Sequence, residues 1–263
     1  MSIDARVREG VIDVANAAAG EILAIYARAF DVEHKADASP LTEADLAAHH
    51  CIVGALAELT PDIPVLSEES PPQVFAARRS WQRLWLVDPL DGTREFVKRN
   101  GEFSVNIALV EEGVAVFGVI QQPVTGLTWH GGAGLGAFRR ADGRDTPIAT
   151  RNPAQRPMRI AASRSHRDAR TDAVLARFPG AQTIGLGSSL KFCRLAEGAL
   201  DLYPRFGRTS EWDTAAGQAI LEGAGGALLD ARGRPFRYNQ RDGLLNGDFF
   251  ASGDPALAAE LTA

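Results

Sequence analysis

The 263-residue chain has only two cysteines, Cys51 and Cys193. Neither belongs to a C-x-x-C pair or to a Cys/His spacing of the zinc type, which excludes thiol redox chemistry and a zinc site as organising features. Both fall in segments of helical character and are expected to behave as small buried apolar residues. Dense Lys/Arg blocks are also missing. With 28 basic against 33 acidic residues and a formal charge of −5, no basic stripe tracks a polyanion backbone, so long nucleic acid is excluded as a partner. A small phosphorylated molecule is not excluded, because a metal ion can supply the positive charge that the protein lacks. Long apolar runs are scarce too. The longest stretch free of Asp, Glu, Lys and Arg, Gly113 to Phe138, is broken by Gly, Pro and Gln, so no membrane-spanning segment is expected. The amino terminus lacks a basic segment followed by an apolar core, and the expectation is a cytoplasmic protein, associated at most loosely with the inner face of the cell membrane. There is no internal repeat and no low-complexity tract. A composition of 45% hydrophobic and 23% charged residues belongs to a folded globular chain, long enough for two modest domains or one large one.

Apolar periodicity organises what remains. Val7, Val11, Val14, Ala18, Ile22 and Ile25 recur at spacings of three and four, predicting one long helix between about Asp4 and Phe30. After the polar turn from His34 to Pro40, Thr42 is expected to open a second helix with Leu46, Ile52, Val53 and Leu56 on its apolar side. Ile63–Leu66 and Leu84–Val87 read as buried strand ends that run directly into carboxylates. From Phe103 to Phe138 the pattern becomes a meandering antiparallel sheet with turns at Glu111-Glu112-Gly113 and Gln121-Gln122-Pro123. Arg151-Asn152-Pro153, followed by Pro157, is the candidate boundary between an α+β domain over 1–152 and an α/β domain over 153–263. In the second part, strands at Met158–Ala162, Thr183–Leu186, Ala199–Tyr203 and Ala227–Leu229 are expected to alternate with helices at Asp168–Phe178, Ser189–Glu197 and Thr214–Glu222.

The sharpest chemical signal is Asp88-Pro89-Leu90-Asp91-Gly92-Thr93, which follows the apolar run Trp85-Leu86-Val87. Hard divalent cations take oxygen ligands, and a strand ending in a tight turn aims two carboxylates and the intervening Leu90 carbonyl at one point. Gly92 and Thr93 then offer backbone N–H groups to a phosphate. The same residues also suit a turn that serves only local geometry. Glu68-Glu69 could be exposed loop charges, and Asp213 in Glu211-Trp212-Asp213 could be a helix N-cap. Three acidic clusters at strand and helix ends are, together, the way multi-metal oxygen sites are assembled.

On these segments, Glu68-Glu69, Asp88 to Thr93 and Trp212-Asp213-Thr214-Ala215-Ala216-Gly217, the chain strongly resembles the inositol monophosphatase-like superfamily of metal-dependent, lithium-sensitive phosphatases. The resemblance covers nearly the whole chain. It implies a mixed α+β and α/β fold, a two-domain α-β-α-β-α layered sandwich of the inositol monophosphatase and fructose-1,6-bisphosphatase type. It implies that Glu68, Asp88, Asp91, Asp213 and the carbonyl of Leu90 hold two or three magnesium ions, with Glu69 supporting an additional, weaker one. Asp45, in a T-x-x-D segment, and the hydroxyl of Thr93 would orient the water that attacks phosphorus in line, with Glu68 completing the catalytic set. Without the motif, Asp45 reads as a solvated carboxylate. Ser70 stands where relatives often carry Asp, and Arg94 where close relatives often carry Lys.

Specificity is expected from the second half. Ser163 and His166, Ser188 and Lys191, and Tyr203 and Arg205 lie at strand ends or helix starts in segments similar to the adenosine 3′,5′-bisphosphate nucleotidase branch and closely to its bacterial CysQ members. The entry Lys35 to Asp45 and the segment Lys98 to Phe103 add to the match. The resemblance implies that Ser163, His166, Ser188, Lys191 and Arg205 contact the nucleotide and its second phosphate, with Tyr203, Gly92, Thr93 and Asp213 beside it. Each has a plainer alternative: an exposed helical lysine, a turn held by Tyr203 and Arg205, a structural histidine. The implied reaction is hydrolysis of the 3′-phosphate of adenosine 3′,5′-bisphosphate. Other readings are an inositol or sugar phosphatase and a non-catalytic phosphate-binding regulator; action on very short oligonucleotides is a further one. Oligomeric state is not specified by the sequence.

Overall fold

The computed structural model describes residues 3–34, 40–163 and 169–262. The chain opens with α1 (Ala5–Tyr26), a short antiparallel pair β1 (Val32–His34) and β2 (Pro40–Thr42), and α2 (Glu43–Leu59). Asp4 caps α1 by accepting from the Arg6 N–H. Thr42 caps α2 in a capping box completed by Asp45, so the carboxylate expected in catalysis also satisfies the Thr42 amide at the helix start. Leu46 departs from the expected apolar side: it is 40% exposed, whereas Ile52 and Leu56 are buried. The helix turns Ala44, Ala48, Ile52 and Leu56 inward, a stripe that leaves Leu46 on the other side.

A seven-stranded sheet follows in the order β3 (Val65–Ser67), β4 (Arg83–Asp91), β5 (Ser104–Glu111), β6 (Val114–Gln122), β7 (Leu127–Gly132), β8 (Gly136–Ala141) and β9 (Arg144–Ile148). Only the β3–β4 pairing is parallel; the rest is the expected meander, extended by β9. Two short helices, α3 (Pro72–Ala77) and α4 (Thr93–Val97), flank β4. Along β4 the side chains alternate: Trp85 and Val87 join the core with α1 and α2, while Leu84 and Leu86 join a second core on the opposite face. Being covered on both faces explains why β4 reads as a continuous apolar run.

The second half supplies β10 (Arg159–Ser163), α5 (Ala169–Ala176), β11 (Gln182–Leu186), α6 (Leu190–Ala196), β12 (Leu202–Arg205), α7 (Glu211–Gly223), β13 (Ala227–Asp230), β14 (Phe249–Ser252) and α8 (Pro255–Thr262). Its sheet order is β11-β10-β12-β14-β13. β12 starts later than expected, because the 199–201 turn returns its amides to the Arg194 carbonyl in α6 and the Arg159 carbonyl at the start of β10. The β12–β14 and β13–β14 pairings are antiparallel, which alternation of strands and helices did not foretell. α6 and α7 fill the space between the two sheets, and α5 and α8 close the outer face around Val174, Phe178, Leu257 and Leu261. The layers are therefore helix, sheet, helix, sheet, helix.

Candidate active site

The acidic centre is built where β4 breaks its pairing with β5. Asp88 faces Asn106 and Asp91 faces Ser104, so β4 spends one more residue than β5 over this interval. Such a bulge re-aims side chains, and here it turns Asp88 and Asp91 to one side. Asp213 arrives from the first turn of α7. The N-cap position, the plainer alternative for Asp213, is taken by Ser210, whose N–H donates to Asp213 at the N3 position. One carboxylate oxygen from each of Asp88, Asp91 and Asp213 falls within a group less than 4.8 Å across. Glu68 follows β3, its N–H bonded to the Val87 carbonyl at 3.0 Å, and lines the same cleft.

Burial raises the Asp88 carboxyl well above the usual range, with the charges of Glu68, Asp91 and Asp213 adding to it. Asp213 is raised well above its range for the same reasons, burial first and then Asp91 and Glu68. Four acids this close repel one another and lack hydration, so the site favours a cation. The donors are all oxygen, with no imidazole or thiolate among the clustered residues, which fits a hard divalent ion such as magnesium. Glu69 is half-buried next to Glu68 and is outside the lining of the cleft.

Asp45 and Thr93 lie side by side. Asp45 is 3% exposed, not solvated; its Oδ2 accepts from the Thr42 N–H and hydroxyl at 2.8 and 2.7 Å. The Thr93 hydroxyl lies 3.3 Å from Asp45 Oδ1 and 3.2 Å from the Leu90 carbonyl, and its single proton serves one of them at a time. Gly92 has φ +89°, and a Cβ there would come within 3.1 Å of the Glu102 carbonyl, so glycine is needed to start α4 at this point.

The cleft over the acids, about 340 Å³, adjoins a second cavity of about 160 Å³; they share Asp91, Gly92, Arg205 and Asp213. Ser188, Lys191 and Tyr203 line the smaller one. The structure gives these residues different tasks from one another. Lys191 is 5% exposed. Its Nζ donates to the Leu186 and Ser188 carbonyls at 3.1 and 2.6 Å and lies 5.1 Å over the Tyr203 ring. Burial pushes its ammonium down to about 8. Tyr203 is raised by burial and packs edge-on against Phe192 and Phe249. Ser188, at φ +55°, donates its hydroxyl to Asp91 Oδ2 at 2.9 Å. Arg205 lines both cavities; its Nη2 donates to the Arg208 carbonyl at 3.2 Å, and its buried Nε has no hydrogen-bond partner among the described residues. Ser163 ends β10 opposite Leu186, but its side chain and the whole of His166 lie outside the described residues.

Sequence reading missed the residues behind Asp91: Ser104, Asn106 and Ser189, all buried. A signal was present, since Ser104 and Asn106 put two polar side chains at a spacing of two in a strand that is otherwise apolar up to Val110.

The model of the inositol monophosphatase family matches residues 4–262. The chain is 48% identical over 244 residues to the 3′(2′),5′-bisphosphate nucleotidase CysQ of Escherichia coli O157:H7, covering 92% of this chain and 98% of that one. It is 47% identical over 243 residues to the nucleotidase of the same name from Salmonella typhimurium, with 92% and 97% covered. The crystal structure of CysQ from Bacteroides thetaiotaomicron, a bacterial member of the inositol monophosphatase family, superimposes with a TM-score of 0.80 at 42% identity over 93% of this chain and 96% of that one. With a family model spanning almost its full length and an acidic site on the matching fold, this chain belongs to the inositol monophosphatase family.

Proposed function

We propose that the protein is a magnesium-dependent 3′(2′),5′-bisphosphate nucleotidase, a phosphoric monoester hydrolase that converts adenosine 3′,5′-bisphosphate to AMP and phosphate. Its sulfonated precursor, 3′-phosphoadenylyl sulfate, presents the same 3′-phosphate, so the activity belongs beside sulfur assimilation. The observation that carries the reading is the oxygen-only cluster of Asp88, Asp91 and Asp213, set beside a cavity with a cationic wall at Arg205. Relatives that share 47–48% of its residues bear the nucleotidase name. Two free cysteines and the absence of any described helix long and apolar enough to cross a membrane agree with a cytoplasmic setting.

Glu68, Asp88, Asp91, Asp213 and the Leu90 carbonyl would hold the ions, two or three in number, with Glu69 nearest to a weaker position. Magnesium, when bound, polarises the phosphoryl oxygens and acidifies water. The protein's own residues do the positioning. Asp45 Oδ1 and Thr93 Oγ1 hold the attacking water on one side of phosphorus, and Asp45 takes its proton. The new O–P bond forms as the bond to O3′ breaks, and the electron pair leaves on O3′, which then takes up a proton. Gly92 and Thr93 N–H groups face the phosphoryl oxygens. Arg205 receives the retained 5′-phosphate, a charge-assisted contact that an inositol monophosphate does not offer.

Phosphorus NMR of the reaction mixture tests this directly. With magnesium, the 3′-phosphate signal of the bisphosphate should vanish into inorganic phosphate while the 5′-phosphate signal persists as AMP, and excess chelator should stop the conversion. Loss of the 5′-signal, or full activity in chelator, would contradict it.

A further inference from the structure

Asp91 is the most heavily hydrogen-bonded of the three clustered aspartates. Its Oδ2 accepts from the Ser188 hydroxyl at 2.9 Å, the Ser189 N–H at 2.6 Å and the Ser189 hydroxyl at 2.7 Å, with Asn106 Nδ2 at 3.4 Å. Those donors are fixed in turn. Asn106 Nδ2 donates to Ser189 Oγ at 2.9 Å, Ser104 Oγ lies 2.6 Å from Ser188 Oγ, and it is also 3.0 Å from Asn106 Oδ1. Ser189 Oγ is 2.8 Å from the Asp213 carbonyl as well. The contacts close a ring that joins β5, the residues before α6 and the end of β4.

The direction of the bonds follows from proton counting. Each serine hydroxyl has one proton, and an ionised carboxylate only accepts. Two strings therefore run toward Asp91, one from Ser104 through Ser188 and one from Asn106 through Ser189. Oδ2 is filled by these donors, and a carboxylate has about four acceptor positions across its two oxygens. Oδ1 is left as the oxygen open to a cation. The β4 bulge places the ring, since it sets Asp91 opposite Ser104 and Asp88 opposite Asn106.

We infer that Ser189 and Asn106, supported by Ser104 and Ser188, are positioning residues that hold Asp91 with Oδ1 presented to the metal. The buried Ser189 hydroxyl lies within reach of the Asp213 carbonyl as well, and its single proton serves Asp91 or Asp213 at a time, while the Ser189 N–H stays on Asp91. The inference rests on the metal-dependent reading above. Residues that only tied β5 to the start of α6 would matter for the fold and leave cation affinity alone.

The test is magnesium binding by the full-length protein without substrate, measured by calorimetry and by the rise in unfolding temperature on adding magnesium. Ser189→Ala should keep the wild-type circular dichroism while raising the magnesium dissociation constant about tenfold to a hundredfold, the range for losing a hydrogen bond to a charged group. Ser189→Thr, which keeps the hydroxyl, should restore binding to within a few fold. Asn106→Ala, which leaves the 186–189 backbone untouched, should weaken binding in the same direction and decides the matter if Ser189→Ala does not fold. Wild-type affinity in both alanine variants would overturn the positioning role while leaving the metal site standing. Absence of magnesium binding in the wild-type protein would overturn both.

Discussion

Asp91→Asn replaces one carboxylate oxygen by an amide nitrogen at nearly constant volume; its remaining oxygen stays on the donors of Ser188 and Ser189, and its N–H groups then face the cation in place of an oxygen. Turnover should fall below detection and magnesium binding should weaken, with circular dichroism unchanged; near-normal activity would remove the metal-site account. Lys191 and Arg205 make the second test at this scale. Arg205 lines both cavities and has an Nε without a partner among the described residues, whereas the Lys191 ammonium is committed to the Leu186 and Ser188 carbonyls. Arg205→Ala should lower kcat/KM about tenfold or more for adenosine 3′,5′-bisphosphate and much less for 3′-AMP, which lacks the 5′-phosphate. Lys191→Ala should lower both alike, because it loosens the Ser188 backbone. A loss confined to the bisphosphate in Lys191→Ala would return that residue to the phosphate. The sequence made the proposed ligands stand out because Asp88, Leu90 and Asp91 are neighbours in a single turn. It could not say that Lys191 is buried, since helical position alone does not tell which groups close over a side chain. Ser104, Asn106 and Ser189 were hidden because their contacts with Asp91 depend on a bulge in strand register.

Among the elements, α7 determines how closely the layers approach. It carries Asp213 at its first turn and lies against β6, where a Cβ added at Gly118 would meet the Ala216 carbonyl oxygen at 2.4 Å. That neighbour is backbone and cannot rotate away. Gly118→Ala should destabilise the protein by about 1–3 kcal/mol or more, read as a lower urea midpoint with an unchanged slope. Because the displaced helix carries Asp213, the surviving folded protein should also bind magnesium less well. A stable variant with normal affinity would show that α7 tolerates the shift without moving its ligand. The long helices α1 and α2 and the meander were legible from period, and so was Thr42 as a helix start, whereas the short α3, α4 and α8 were not expected. β14 was not: Phe249-Phe250-Ala251-Ser252 is too short to carry a period, and its place between β12 and β13 is fixed by antiparallel pairing with both.

For the whole molecule, the acidic centre is a source of instability that a cation relieves. Burial first, and then neighbouring carboxylates, raises Asp88 and Asp213 in the folded protein. A carboxyl raised by folding keeps its proton where the unfolded chain has already lost it, so stability of the metal-free protein falls as pH rises from the ordinary carboxylate range through the raised values. Magnesium at about 100 times its dissociation constant adds about 2.7 kcal/mol, which for a chain of this size raises the unfolding temperature by about 5–10 °C. Thermal scans with magnesium and with chelator should separate by that amount at neutral pH and converge on acidification; identical curves at neutral pH would count against the centre as a cation site. The layered architecture was available to sequence reading only through family resemblance, because no local pattern tells two sheets to share the helices between them. The central claim, that this family site acts on a nucleotide bisphosphate, is tested most directly by the ratio of kcat/KM for adenosine 3′,5′-bisphosphate to that for inositol 1-phosphate, both measured with saturating magnesium. The account predicts a ratio well above one, at about tenfold or more if the Arg205 contact is made. A ratio at or below one would contradict it and return the protein to the broader class of sugar-phosphate phosphatases.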